Sequence, residues 1–148
     1  MAPEISVQLC SFNRKALLQR CLEALFAQDF PRENYEIILV DDGSTDGTSE
    51  MIKSLKPSCA FTYLYQEHRG LATARNLGIK NAEGKYILFL DDDILAHPQL
   101  LKEHIKIHYR FPRTVVRGRV NHINDLNKTT QPRFTLADIS TSFFWTSN

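Results

Sequence analysis

The apolar positions follow two alternating rhythms. "ISVQLC" (5–10) reads as a strand, and "NRKALLQRCLEALFAQ" then places Leu17, Leu18, Cys21, Leu22, Leu25 and Phe26 at helical spacing, with Asn13 as the cap. The pattern recurs as a "YEIILV" strand, "DDGSTDG" loop, "TSEMIKSL" helix, "FTYLYQ" strand, "EHRG" loop, "LATARNLGIKNA" helix and "KYILFL" strand. Four strands thus alternate with three helices. Parallel strands need such crossovers, and runs as apolar as "EIILV" and "YILFL" predict a sheet covered on both faces. The expected fold is α/β, a three-layer sandwich around a mainly parallel sheet. Pro98 fits the first turn of a further helix, "PQLLKEHIKIHYR", and "TVVRGRV" (114–120) reads as another strand. Beyond it, "NHINDLNKTTQPRF" reads as a long polar loop, and "FFWTSN" follows without a closing helix.

A length of 148 residues suits one domain, 1–148. A net charge of +1 gives no support to a nucleic-acid partner. Three cysteines, Cys10, Cys21 and Cys59, form neither an even set nor a CxxC pair, so reduced thiols are expected. No run approaches the ~20 apolar residues that span a bilayer, and the start "MAPEISVQLC" lacks the layout of a signal peptide. The expectation is a cytoplasmic protein, or one peripheral at the cytoplasmic face of a membrane.

The polar clusters each follow a strand, so they converge on one edge of the sheet, where open α/β sheets bind ligands. In "VDDGSTDGT", Asp41 and Asp42 followed by Gly43 can accept hydrogen bonds from a ribose or a base N–H. The same residues equally suit an Asp-Gly turn, with Asp46 or Thr48 capping the next helix. A calcium loop fails at its twelfth position, Lys53, and neither GxxxxGK[ST] nor GxGxxG is present.

Three adjacent aspartates, Asp91, Asp92 and Asp93, close the fourth strand. Residues i and i+2 of an extended end point the same way, so Asp91 and Asp93 can share a hard divalent cation, Mg²⁺ or Mn²⁺, with water and phosphate oxygens completing the shell. The alternative is a solvated acidic turn ahead of the Pro98 helix. Arg69 and Arg75 are candidates for diphosphate contacts, with Gly70 allowing close backbone approach; a solvated helix face is the competing reading. His104 and His108 stand four apart on one helix without an HExxH signature, which favours core-edge histidines over a metal site; for His97, closer to the aspartates, the question stays open.

Taken in order, "VQLCSFNR", "VDDGSTDGT", "RGLATARNLGI" and "GKYILFLDDDI" resemble the nucleotide-sugar half of family 2 glycosyltransferases, inverting enzymes of the GT-A type with a Rossmann-like sheet. The resemblance implies a donor that is a nucleotide-diphosphate sugar, a UDP-sugar first, and Mg²⁺ or Mn²⁺ as cofactor. Ser11, Phe12 and Asp42 match the positions that hold the nucleoside, and Arg75 and Asn76 those that approach the nucleotide. Asp91 and Asp92, with Asp93, match the DxD-like motif that binds ribose and metal; which pair takes the metal stays open. Asp stands at the middle position in place of a small residue, and Cys10 where a small hydroxyl is frequent. "FFWTSN" resembles the start of the acceptor-side half, so the general base is expected beyond Asn148, and neither Asp125 nor Asp138 lies in a matching context. A module that binds nucleotide sugar without turnover is the alternative function. A phosphatase lacks its DxDxT and a nucleotidyltransferase its glycine-rich loop. An unfinished sheet and "FFW" favour a homo-oligomer.

Overall fold

The structure is a computed structural model that describes residues 2–118 and 120. Its elements run β1 (Ile5–Ser11), α1 (Lys15–Phe26), a 3-10 turn (Arg32–Asn34), β2 (Tyr35–Asp41), α2 (Thr48–Ser54), β3 (Ala60–Tyr65), α3 (Leu71–Lys80), β4 (Tyr86–Asp91) and α4 (Leu100–Arg110). The alternation of four strands with three helices is the one the apolar pattern predicts. The strands form one parallel sheet in the order β3-β2-β1-β4.

Side chains alternate across a strand, so Ile5, Val7 and Leu9 share a face with Tyr35, Ile37 and Leu39, while Ser6 and Gln8 occupy the other. On the first face the Tyr35 hydroxyl donates to the Leu25 carbonyl of α1 (3.1 Å), and α2 packs beside α1. On the second face α3 lies across β1 and β2, with Gly78 against the Gln8 side chain. Helices on both faces make the α/β sandwich. This split follows from right-handed crossovers: two run from β1 toward β3, and the third returns over the opposite face to β4.

Both central strands are buried almost throughout, as "ISVQL" and "EIILV" lead one to expect. The apolar run of β4 is covered less than its sequence suggests, with Phe89 49% exposed. Among the described residues β4 pairs with β1 alone, so it is an edge strand and lacks the cover of a central one.

The amino end of the sheet is fixed by a buried polar lock. The Ser6 hydroxyl donates to Glu36 Oε1 (2.6 Å), the Glu83 N–H donates to the same oxygen (2.8 Å), and the Gly84 N–H donates to Ser6 Oγ (2.8 Å). These bonds set the start of β4 and hence the register that carries its carboxyl end to the site.

The chain divides between Leu101 and Lys102 into two compact units. In the first, Gln28 ties the segment before α4, donating to the His97 carbonyl (2.9 Å) and accepting from the Leu101 N–H (3.2 Å). The helix starts at Leu100, two residues after Pro98. In the second unit His104 is buried; burial, then the neighbouring His108, push its pKa down to about 4, so it is neutral at physiological pH. The strand expected at 114–120 does not form among residues 114–118 and 120. Arg113 adopts a left-handed backbone (φ 62°), and Val115 and Val120 are exposed where a strand would bury alternate residues. The "NHINDLNKTTQPRF" loop, "FFWTSN", Asp125 and Asp138 lie outside the described residues. Among the described residues no helix is long and apolar enough to cross a membrane.

A Cβ on Gly84 would lie 2.5 Å from the Ser6 backbone nitrogen, a contact that backbone cannot relieve by a rotamer change. Gly84→Ala should therefore cost about 1–3 kcal/mol of stability, read as a lower urea midpoint at unchanged slope.

Candidate functional site

β1 lies between β2 and β4, at the point where the crossovers reverse direction, and a parallel sheet of this order opens its crevice there. The register sets Ser11 beside Asp41 and Cys10 beside Asp91. Five aspartates, Asp41, Asp42, Asp91, Asp92 and Asp93, consequently crowd one edge.

The first pair is bonded to donors of the protein. Asp41, fully buried, accepts from the Ser44 N–H and the Tyr63 hydroxyl (both 2.8 Å). Burial and this carboxylate push the Tyr63 phenol up to about 12, so it stays a donor. Asp42 is buried and accepts on Oδ1 from the Gln66 amide (2.6 Å) and the Arg69 N–H (2.8 Å), and on Oδ2 from the Gly70 N–H (2.9 Å). His68 Nδ1 lies 2.8 Å from the same Oδ2. Burial alone would raise the Asp42 carboxyl; the Arg69, Gln66 and Gly70 donors and the nearby imidazole outweigh it and hold the group below the usual carboxylate range.

Two loops are knitted across the top of the sheet. The Asn13 N–H donates to Ser44 Oγ (2.9 Å), and Asn13 Oδ1 accepts from the Thr45 N–H (2.8 Å). The expected capping of α1 by Asn13 is not what forms: its backbone is left-handed (φ 54°) and Arg14 holds the cap position. Asp46 reaches over from the β2–α2 loop instead, accepting from the Lys15 N–H of α1 (2.8 Å) and from the Thr48 N–H and hydroxyl at the start of α2 (3.2 and 2.6 Å). One carboxylate thereby serves two helix starts, and these bonds hold it below its ordinary value despite burial.

The triplet splits by orientation. Asp92 turns inward, 4% exposed, accepting from the buried Ser11 hydroxyl (2.7 Å) and from Arg14 Nη1 (2.9 Å). Asp91 and Asp93 turn outward. Arg14 Nη1 reaches Asp93 at 3.3 Å, and Arg75 Nη2 stands 3.7 Å from Asp91. Arg69 contributes a backbone N–H, and Asn76 is exposed next to Arg75 on α3. Phe12 stacks on His68 with ring centroids 4.2 Å apart and 20° between planes. His97 Nδ1 accepts from the Gln99 N–H (3.3 Å). No group of three or more His, Cys, Asp or Glu side chains is arranged around a common cation site among the described residues. The cysteines are free thiols; burial, and then the nearby aspartates, push Cys21 up to about 12, which leaves it inert.

Arg14, His68, Gln66 and Tyr63 are absent from the sequence-derived set. The only signal for Arg14 and His68 was their place in loops that follow strands. Tyr63 and Gln66 had none, since their partners lie more than twenty residues away.

With the geometry in place, comparison with known proteins is decisive: the model of the family described as glycosyl transferase family 2 matches residues 6–146. The chain belongs to this family. Validoxylamine A glucosyltransferase of Streptomyces hygroscopicus subsp. jinggangensis is 37% identical over 108 residues, covering 72% of this chain and 26% of that protein. The Methanococcus voltae dolichyl N-acetyl-alpha-D-glucosaminyl phosphate 3-beta-D-2,3-diacetamido-2,3-dideoxy-beta-D-glucuronosyltransferase is 33% identical over 129 residues, covering 82% of this chain and 40% of that protein. Among solved structures, the Pyrobaculum calidifontis mannosyltransferase PcManGT, in complex with GDP-Man and Mn²⁺, superposes with TM-score 0.74 at 27% identity, covering 86% of this chain and 38% of that one. TarS 1-349 of S. aureus, in complex with UDP-GlcNAc, gives 0.68 at 28%, covering 72% and 31%. This family 2 chain thus has the GT-A fold, and it spans less than half the length of each of these four proteins.

Asp42 carries a depressed carboxyl in the folded state, so it stabilises the fold above the unfolded carboxylate value of about 3.9, and that contribution fades as pH falls toward the folded value. The stability gap between the natural protein and Asp42→Asn should be constant above about pH 5 and should shrink below it, as followed by urea titrations at stepped pH.

Proposed function

We propose that this domain binds a nucleotide-diphosphate sugar, a UDP-sugar first, at the carboxyl edge of β1, β2 and β4, and serves inverting glycosyl transfer to an acceptor hydroxyl. The observation that carries the proposal is the division among the five aspartates. Asp41, Asp42 and Asp92 are buried and bonded to protein donors, whereas Asp91 and Asp93 face outward with only the looser arginine contacts.

Asp91 and Asp93 offer hard carboxylate oxygens, a donor set suited to Mg²⁺ or Mn²⁺ but short of a full shell, which suits a cation that also takes ligand oxygens. A cation held there would offset negative charge on the departing diphosphate. Arg75, exposed 3.7 Å from Asp91, is the side chain placed to meet a phosphate, with Arg69 and Gly70 opening α3 nearby. Asn76 follows Arg75 on the same helix. On the nucleoside side, Phe12 offers a ring face and Asp42 an acceptor-only carboxylate for a base N–H. Ser11 acts one step back, through the hydroxyl that holds Asp92 inward. PcManGT in complex with GDP-Man and Mn²⁺, and TarS with UDP-GlcNAc, lend support by likeness. No described residue is assigned as the base that takes the acceptor proton.

Calorimetry with UDP should show clearly tighter binding with Mn²⁺ than without it. Asp91→Asn and Asp93→Asn should each lose that increment while keeping the metal-independent part. Equal binding with and without Mn²⁺ in the natural protein would sink the shared-cation account.

A further inference from the structure

His68 occupies an unusual position: a planar nitrogen heterocycle, stacked on Phe12 at 4.2 Å, with a ring nitrogen 2.8 Å from the Asp42 carboxylate. An ionised carboxylate only accepts, so the Nδ1 that faces it carries the proton. Stacking on Phe12 and donating an N–H to Asp42 are the two contacts that the proposed nucleoside slot offers to a base. We infer that His68 is an internal competitor for this slot: its ring fills the place of the nucleobase in the ligand-free domain and swings out when a nucleotide binds. This inference rests on the nucleoside reading of Phe12 and Asp42 given above.

The local geometry allows the ring to leave without dismantling the loop. Asp42 grips the loop backbone through the Arg69 and Gly70 N–H groups and the Gln66 side chain, none of which needs the imidazole. The loop lies close against the β2 turn because Gly43 has no side chain; a Cβ there would stand 2.8 Å from the His68 backbone nitrogen. The His68 side chain is 58% exposed, so a χ1 rotation carries it into solvent rather than into packed neighbours. Its departure frees one lone pair of Asp42 Oδ2, the Asp42 carbonyl that the same Nδ1 approaches at 3.1 Å, and one face of Phe12 together. His68 therefore sets affinity, and it also favours bases that can replace both contacts at once, a flat ring with an N–H on its edge such as uracil.

The test is UDP affinity, with Mn²⁺ present, for the natural protein and for His68→Ala, His68→Asn, Phe12→Ala and Asp42→Asn, with thermal melts confirming that each variant is folded. Losing a stacked competitor worth one aromatic contact should tighten UDP binding of His68→Ala by about threefold to tenfold. His68→Asn, which keeps an amide donor but no ring, should fall between the two. In the natural protein, UDP should shift the His68 ring-proton NMR signals downfield as the ring leaves the face of Phe12. Unchanged or weaker binding by His68→Ala, alongside weaker binding by Phe12→Ala, overturns the competitor and leaves the slot standing. Unchanged binding by both Phe12→Ala and Asp42→Asn overturns the slot itself, and the competitor with it.

Discussion

Five carboxylates at one edge of a parallel sheet set the terms for everything built around them. Side chains that close repel strongly when desolvated, and each buried oxygen without a donor would cost more than an ordinary hydrogen bond returns. The fold meets that demand with donors from every neighbouring loop: Ser44 and Tyr63 for Asp41, Gln66, Arg69 and Gly70 for Asp42, and Ser11 and Arg14 for Asp92. The loops are shaped by these acceptors as much as the acceptors are placed by the strands.

This explains why the site and the sheet are hard to separate. β1 sits between β2 and β4, and its end serves both neighbours: the Ser11 hydroxyl and the Arg14 guanidinium hold Asp92 on one side, while the Ser11 carbonyl accepts from the Asp42 N–H (2.9 Å) on the other. At the opposite end the Ser6–Glu36–Gly84 lock fixes where β4 begins. A slip of one residue there would turn the side chains of β4 to the opposite face and displace the aspartate turn at its carboxyl end.

Much of this was legible in the sequence, and the limits have a physical cause. Strand and helix periods are local, so the β1 to β4 alternation could be read directly; the triplet is different, because β4 ends at Asp91 while Asp92 and Asp93 lie in a turn closed by the Ile94 N–H on the Asp91 carbonyl (3.3 Å), where a strand period of two no longer applies. What a period cannot reveal is a partner far along the chain. Nothing beside Asp91–Asp93 in sequence is basic, yet Arg14, 78 residues away, is bonded to Asp92. Asn13 has the composition of a helix cap, but the cross-loop bonds to Ser44 and Thr45 hold it in a left-handed turn and hand the capping to Asp46. The strand expected from "TVVRGRV" rested on β propensity alone, which is weak where no described residue pairs with the segment.

The division between satisfied and unsatisfied carboxylates also bears on how a family 2 domain can keep one architecture while its ligands vary. Asp41, Asp42, Asp46 and Asp92 spend their lone pairs on backbone N–H groups, hydroxyls and side chains of the domain, so replacing any of them disturbs loops before it disturbs a ligand. Asp91, Asp93, Arg75 and Phe12 are each exposed by between 41% and 72%, so changing them carries little structural cost. Asp42 belongs to both sets because one of its four donors, His68, is a side chain on the outside of a loop that the other three already hold. A buried carboxylate with one exchangeable donor can stay fully hydrogen-bonded whether or not a base is present, which is the condition a binding site needs to be stable in both states.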